Sequence, residues 1–203
     1  MRNIAPFATL IVLFWMLFST WPVTLASDRV PLPVVGSQTP AGTAAVVVRT
    51  YDAATAAALE QYIETNHLDV ALFVTSGSAK GLSPTTTVTI GITEEPRTSR
   101  MPHPVRAWEE PRDTSASIRE LTGSNPVYFL PRKGNPDTID FALKPRNTVI
   151  IWPNNVNSES VGPGVLLVET EGKTPNQAIA ALNEELNELA AKGLTLVGLN
   201  AAT

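Results

Sequence analysis

Few side chains in this chain are of a type and placement to do chemistry. Asp52 follows the short β-branched run Ala44–Tyr51, where a strand would hand over to a helix, so its carboxylate could act as a general base or cap that helix. His67 and His103 are the only two histidines. His103 precedes Pro104 in a stretch rich in proline and charge, and either a catalytic role or a plain surface position is open to it. His67, at the end of the first helical segment, suits the negative end of a helix dipole. Glu169 and Glu171 lie two apart beyond an apolar run; on one side of the chain they could serve as acid and base or bind a cation, and otherwise they are solvated loop charges. Trp152 ends another apolar run and is either half-buried or free to stack on a sugar face.

Other chemistries are excluded by composition. There is no cysteine, hence no disulfide and no thiolate metal site. No Gly-x-Ser-x-Gly elbow is present, and Gly77-Ser78-Ala79-Lys80-Gly81 has the wrong spacing for a phosphate loop, reading simply as a loop. A Ser–His–Asp triad would need one of the two histidines, and no serine is singled out as its partner.

The elements that must position these groups can be read from hydrophobic pattern. Strands are expected at Ala44–Tyr51, Val70–Val74, Thr86–Ile92, Val127–Leu130, Thr148–Trp152, Val165–Val168 and Leu194–Leu199. A helix is expected from Ala53 to about Asn66, with Ala56, Leu59 and Ile63 on one face, and another from Asp113 to Leu121 stopped by Gly123. The segment from Thr93 to Arg112 is expected to be a long loop. The last helix is the clearest: Thr174 caps it, Pro175 enters its first turn, Gln177 completes a capping box, Glu188 pairs with Lys192, and Gly193 ends it. About seven short apolar strands interleaved with helices imply a mostly parallel sheet or a barrel.

The chain begins with Met1-Arg2-Asn3, an apolar run from Ile4 to Phe18, and a small-x-small end at Thr24 and Ala26. These are the parts of a secretory signal, so residues 1–26 are expected to be removed after Ala26, residues 27–43 to form an extended linker, and residues 44–203 to form the domain. An uncleaved anchor is the rival reading, because about 20 apolar residues span a bilayer; Pro22 favours removal. Either way the domain is expected to be secreted or extracytoplasmic, at the cell envelope. Without Arg2, 14 basic side chains stand against 19 acidic ones, a formal net charge of −5. Such a domain lacks the footprint of a nucleic-acid binder and does not suit an anionic membrane surface.

The order of segments over Ala44 to Leu199 resembles the polysaccharide deacetylase family, the NodB-homology domain. The family's first strand ends Thr-Phe-Asp-Asp, against Thr50-Tyr51-Asp52-Ala53; its second ends Ala-Thr-Phe-Phe-Val-x-Gly, against Ala71-Leu72-Phe73-Val74-Thr75-Ser76-Gly77. Its Leu-Thr-Gly-x-x-Pro and Phe-Arg-x-Pro-x-Gly motifs are similar to Leu121–Pro126 and to the stretch from Phe129 to Gly134. A strand ending in tryptophan at Trp152, the run Gly162–Val168, the helix after Thr174 and Leu189–Gly193 leading into the last strand complete the likeness.

The resemblance implies a distorted (β/α) barrel of about seven strands and removal of acetyl groups from chitin-like or peptidoglycan polymers. In such enzymes a divalent metal such as zinc, held by one aspartate and two histidines, activates water and polarises the amide carbonyl, while a second aspartate is the base and a late histidine the acid. Carried over residue by residue, Asp52 matches the base, but Ala53 stands in place of the metal-binding aspartate. Only His103 is available for the histidine pair, Leu130 replaces the arginine that orients the base, and Val168 replaces the late histidine with Glu169 beside it. The expectation is therefore a catalytically degenerate, exported relative without a metal or other cofactor. Asp52 would be a vestigial base, and Trp152 and His103 would be binding residues for a glycan or a protein partner. The alternative is an active deacetylase whose site is rebuilt from Asp52, His103 and Glu169.

Overall fold

The computed structural model describes residues 35–36, 39–95, 103–131, 149–151, 153 and 164–202, all in the larger of the chain's two units, Pro33–Thr203. The elements are β1 (Val35–Gly36), β2 (Thr43–Thr50), α1 (Ala53–Thr65), β3 (Val70–Val74), α2 (Ser76–Ala79), β4 (Thr89–Thr93), α3 (His103–Thr122), β5 (Tyr128–Leu130), β6 (Val149–Ile151), β7 (Gly164–Glu169), α4 (Pro175–Ala191) and β8 (Thr195–Leu196), followed by a 3₁₀ turn at Leu199–Ala202. Among the described residues eight strands form one sheet in the order β1-β6-β5-β4-β3-β2-β7, with β8 beside the start of β2. Every pairing is parallel. The sheet is a distorted, open half-barrel flanked by helices, as the family resemblance implied.

Strand alternation explains the two layers of core. From β2, Ala44, Val46 and Val48 face a layer that also holds Leu59 and Ile63 of α1, Ile118 of α3 and Leu182 and Leu189 of α4. Ala45 and Val47 point the other way, into a second cluster with Phe73, Leu130, Ile151 and Val165 that is closed by Leu199. Gly91, paired with Phe73 across β3 and β4, is required there: a Cβ at this position would lie 2.3 Å from the Phe73 ring. The helices follow their local signals. Thr174 caps α4 with a complete capping box, Pro175 opens it, and Lys192 pairs with Glu188 at 2.8 Å. The Tyr62 hydroxyl donates to Asn183 Oδ1 at 2.6 Å and ties α1 to α4.

Several boundaries differ from the sequence reading. The expected loop from Thr93 to Arg112 instead contains the first half of α3, which starts at His103 and runs 20 residues. Pro104 is compatible with a first turn, where its missing N–H would bond nothing, so proline there marks a helix start rather than a loop. The strand expected from Thr86 begins only at Thr89. Its approach is held off the sheet by α1, whose Glu60 accepts from the Ser83 N–H at 2.9 Å and whose Glu64 accepts from the Thr87 N–H at 2.6 Å. The last strand shrinks to Thr195–Leu196 because the chain then curls to bring Leu199 onto the second core cluster. Two elements were not foreseen: Val35–Gly36 pairs with β6, and the loop Gly77–Gly81 begins inside the single helical turn Ser76–Ala79, capped by Thr75. Among the described residues no helix is long and apolar enough to cross a membrane.

Candidate functional site

In a parallel sheet all carboxyl ends lie at one edge, and ligand sites of such folds collect there. At this mouth β2 delivers Arg49, β4 delivers Thr93, β5 leads into Pro131 and β7 delivers Glu169. Arg49 continues the Ala45–Val47 side of β2, and the register sets it opposite Glu169. Its Nε donates to Glu169 Oε2 at 2.8 Å, and Nη2 lies 2.8 Å from the same oxygen. Nη1 donates to the Pro131 carbonyl at 3.0 Å. The arginine side chain is 4% exposed and that of the glutamate 39%, so a buried cation is neutralised by a carboxylate that partly meets solvent. The backbone is clamped at the same place: the Thr170 N–H and hydroxyl donate to the Arg49 carbonyl at 3.2 and 2.7 Å, and Lys173 Nζ donates to the Glu169 carbonyl at 2.9 Å. Glu169 Oε1 is buried and has no hydrogen-bond partner among the described residues.

Asp52 is the N-cap of α1. Its Oδ2 accepts from the Thr55 N–H at 2.8 Å and the Thr55 hydroxyl at 3.0 Å. The Thr55 N–H, then its hydroxyl, hold the Asp52 carboxyl below its ordinary range. A general base works best near the operating pH, and this environment moves Asp52 the other way. Glu169 and Glu171 are not a pair: β7 ends at Glu169, buried Thr170 starts a turn, and Glu171 is exposed in it, so strand alternation no longer relates the two. Val168 faces the helix layer, which makes Glu169 the last side chain of β7 on the mouth side. His103 opens α3 instead of lying in a loop. His67 lies just past α1 with φ of 51°, so its contribution is a left-handed backbone that ends the helix. Trp152 lies outside the described residues.

The donor chemistry that the described residues bring to the mouth does not fit a divalent metal. Among the described residues no three His, Cys, Asp or Glu side chains come together, and Ala53, at the metal-binding aspartate's position, carries no donor atom. Sequence reasoning missed Arg49. The available signal was a charge directly after the apolar run Ala44–Val48, since a buried strand carries a charged residue only if a partner waits in the fold.

The open parallel half-barrel with helices on one face, and a mouth at the strand ends, is the architecture of polysaccharide deacetylases. The chain superposes on a chitin deacetylase from Colletotrichum lindemuthianum with a TM-score of 0.65, 14% identity, and coverage of 86% of this chain and 92% of that one. It matches wild-type BA3943, a CE4 family pseudoenzyme from Bacillus anthracis, with a TM-score of 0.59 and 10% identity over 80% of this chain and 65% of that one. A third likeness is to the Bc1960 peptidoglycan N-acetylglucosamine deacetylase, with a TM-score of 0.54, 17% identity, and coverage of 82% and 91%. At these identities the shared property is the fold. No protein-family model matches the sequence, and no curated protein matches it.

Proposed function

We propose that this chain is a catalytically degenerate protein with the deacetylase fold, working outside the cytoplasm as a module that binds glycan at the mouth of the half-barrel. The observation that carries the reading is the Arg49–Glu169 pair, which sets a protein ion pair rather than a cluster of metal-ligating side chains at the described strand ends. The commitment of Asp52 to its helix cap and the alanine at position 53 support the same conclusion. The fold is shared both with enzymes acting on chitin and peptidoglycan and with a pseudoenzyme, which supports a carbohydrate ligand without turnover. The export-type start, Met1 to Ala26, supports a place at the cell envelope.

The test is a binding screen of the whole protein against chitooligosaccharides and peptidoglycan fragments, with acetate assayed in the same samples. Binding without acetate release is expected. Acetate release that falls in Asp52→Asn would establish the rebuilt-enzyme alternative instead, and silence across the whole glycan panel would remove the binding reading.

A further inference from the structure

The amino end of the sheet carries a cavity that the mouth does not explain. It measures about 200 Å³ and lies between the C-terminal turn of α3 and the starts of β4 and β5. Thr122 ends α3, Gly123 turns the chain with φ of 72°, and Ser124–Val127 then line the cavity. The inner wall is apolar, made by Val88, Ile90 and Ile118 of the helix-facing core. Val127 extends that wall outward and is 36% exposed, the one large hydrophobic side chain so exposed among the described residues.

The rim is polar and uncharged. Among the described residues that line it, none is Asp, Glu, Lys, Arg or His. The Thr122 hydroxyl is committed to the Ile118 carbonyl at 2.9 Å, and Thr86 Oγ1 accepts from the Val88 N–H at 3.3 Å. Thr89, Ser124 and Asn125 add hydroxyl and amide groups to this rim, and among the described residues their side chains have no hydrogen-bond partner.

We infer that this cavity is a second ligand site, for a neutral molecule of monosaccharide size with several hydroxyl groups and one apolar face. The volume falls below the range of about 300–1,000 Å³ usual for drug-sized ligands, which limits the occupant to a single ring. An apolar wall facing a neutral rim of hydroxyl and amide groups matches the two faces of such a ring. A charged ligand would lose hydration and find no counter-charge. The site is separate from the mouth: β4 runs from Thr89 here to Thr93 there, about 13 Å at a strand rise of about 3.3 Å per residue.

The test is an amide NMR titration of the full chain with glucose, N-acetylglucosamine, glucosamine and glucuronate, read at Thr89, Ser124, Asn125 and Val127. The neutral sugars should give saturable shifts at these amides with a Kd on the order of millimolar, as suits a small ligand in an open site. The charged analogues should bind several-fold more weakly. Val127→Asp, at an exposed position, and Ser124→Trp, on the rim, should each weaken binding tenfold or more, the rest of the amide spectrum reporting an intact fold. Linear, non-saturating shifts, wild-type affinity in both variants, or equal binding of charged and neutral sugars would overturn the site. Shifts confined to the strand ends around Thr93 and Glu169 would also overturn it, while supporting the mouth; the two readings therefore fail separately.

Discussion

Arg49 and Glu169 stand opposite each other in the parallel pairing of β2 and β7 and are joined at 2.8 Å, so one ion pair locks two strand ends together at the mouth of the half-barrel. The pair crosses 120 residues of sequence, and its arginine also holds the Pro131 carbonyl. Removing only the carboxylate takes away a counter-charge held 2.8 Å from a buried guanidinium. Glu169→Ala should therefore destabilise the chain by about 2 kcal/mol, between the values for exposed and buried pairs because the glutamate is partly solvated. Replacing both, as Arg49→Met with Glu169→Leu, should recover most of that loss. Urea denaturation of the two variants checks both outcomes; a double variant no better than Glu169→Ala would show that the guanidinium's other bonds dominate.

Asp52 offers a clean separation of cap from base. Asparagine caps a helix about as well as aspartate, so Asp52→Asn should unfold close to wild type at neutral pH, while Asp52→Ala should lose about 1 kcal/mol. The folded-state pKa of Asp52 is lowered from 3.8, so its contribution is complete above that value and is lost as pH falls through the lower folded value. Acid unfolding of Asp52→Asn should accordingly be less steep below pH 3.8 than that of the wild type.

Glu185 on α4 carries the opposite sign. Burial, and then repulsion from Glu188, raise its pKa above 4.5, and its Oε1 is buried with no partner among the described residues. A raised carboxyl favours the fold below its ordinary pKa and costs stability as pH rises through the folded value. Glu185→Gln should raise the thermal midpoint at pH 7, by less than about 1 kcal/mol in stability for this half-exposed group, and leave it unchanged at pH 4. An equal effect at both pH values would mean that shape, not charge, was altered.

Gly91 and Phe73 should behave as a coupled pair. Gly91→Ala forces a methyl group into the Phe73 ring and should cost about 1–3 kcal/mol, the usual range for overpacking. Phe73→Leu in the Gly91→Ala background should return part of it. A double-mutant cycle with no coupling would show that the backbone of β4 shifts instead.

Zinc titrated into the whole protein should give no saturable heat at micromolar concentration, and His103→Ala should titrate like the wild type. Micromolar binding lost in that variant would restore the metal-hydrolase reading, with residues outside those described supplying the remaining ligands.

Local signals in the sequence were sufficient for much of the frame. β3 was legible to the residue because a short unbroken apolar run, Val70–Val74, suits a strand buried on both faces. The cap, capping box and ion pair of α4 were legible because each joins residues three or four apart. That Ala53 carries no donor atom, where the resemblance implies an aspartate, was equally visible, since it is a matter of residue type alone. What the tertiary structure decided were the long-range pairings. Arg49 and Glu169 meet only because β7 crosses the molecule to lie beside β2, and no local pattern encodes which strands become neighbours. The start of α3 was hidden because His103-Pro104 suits a helix entrance as well as a loop. The cavity beneath α3 depends on where a helix stops relative to two strands, and that is settled only when all three are packed together.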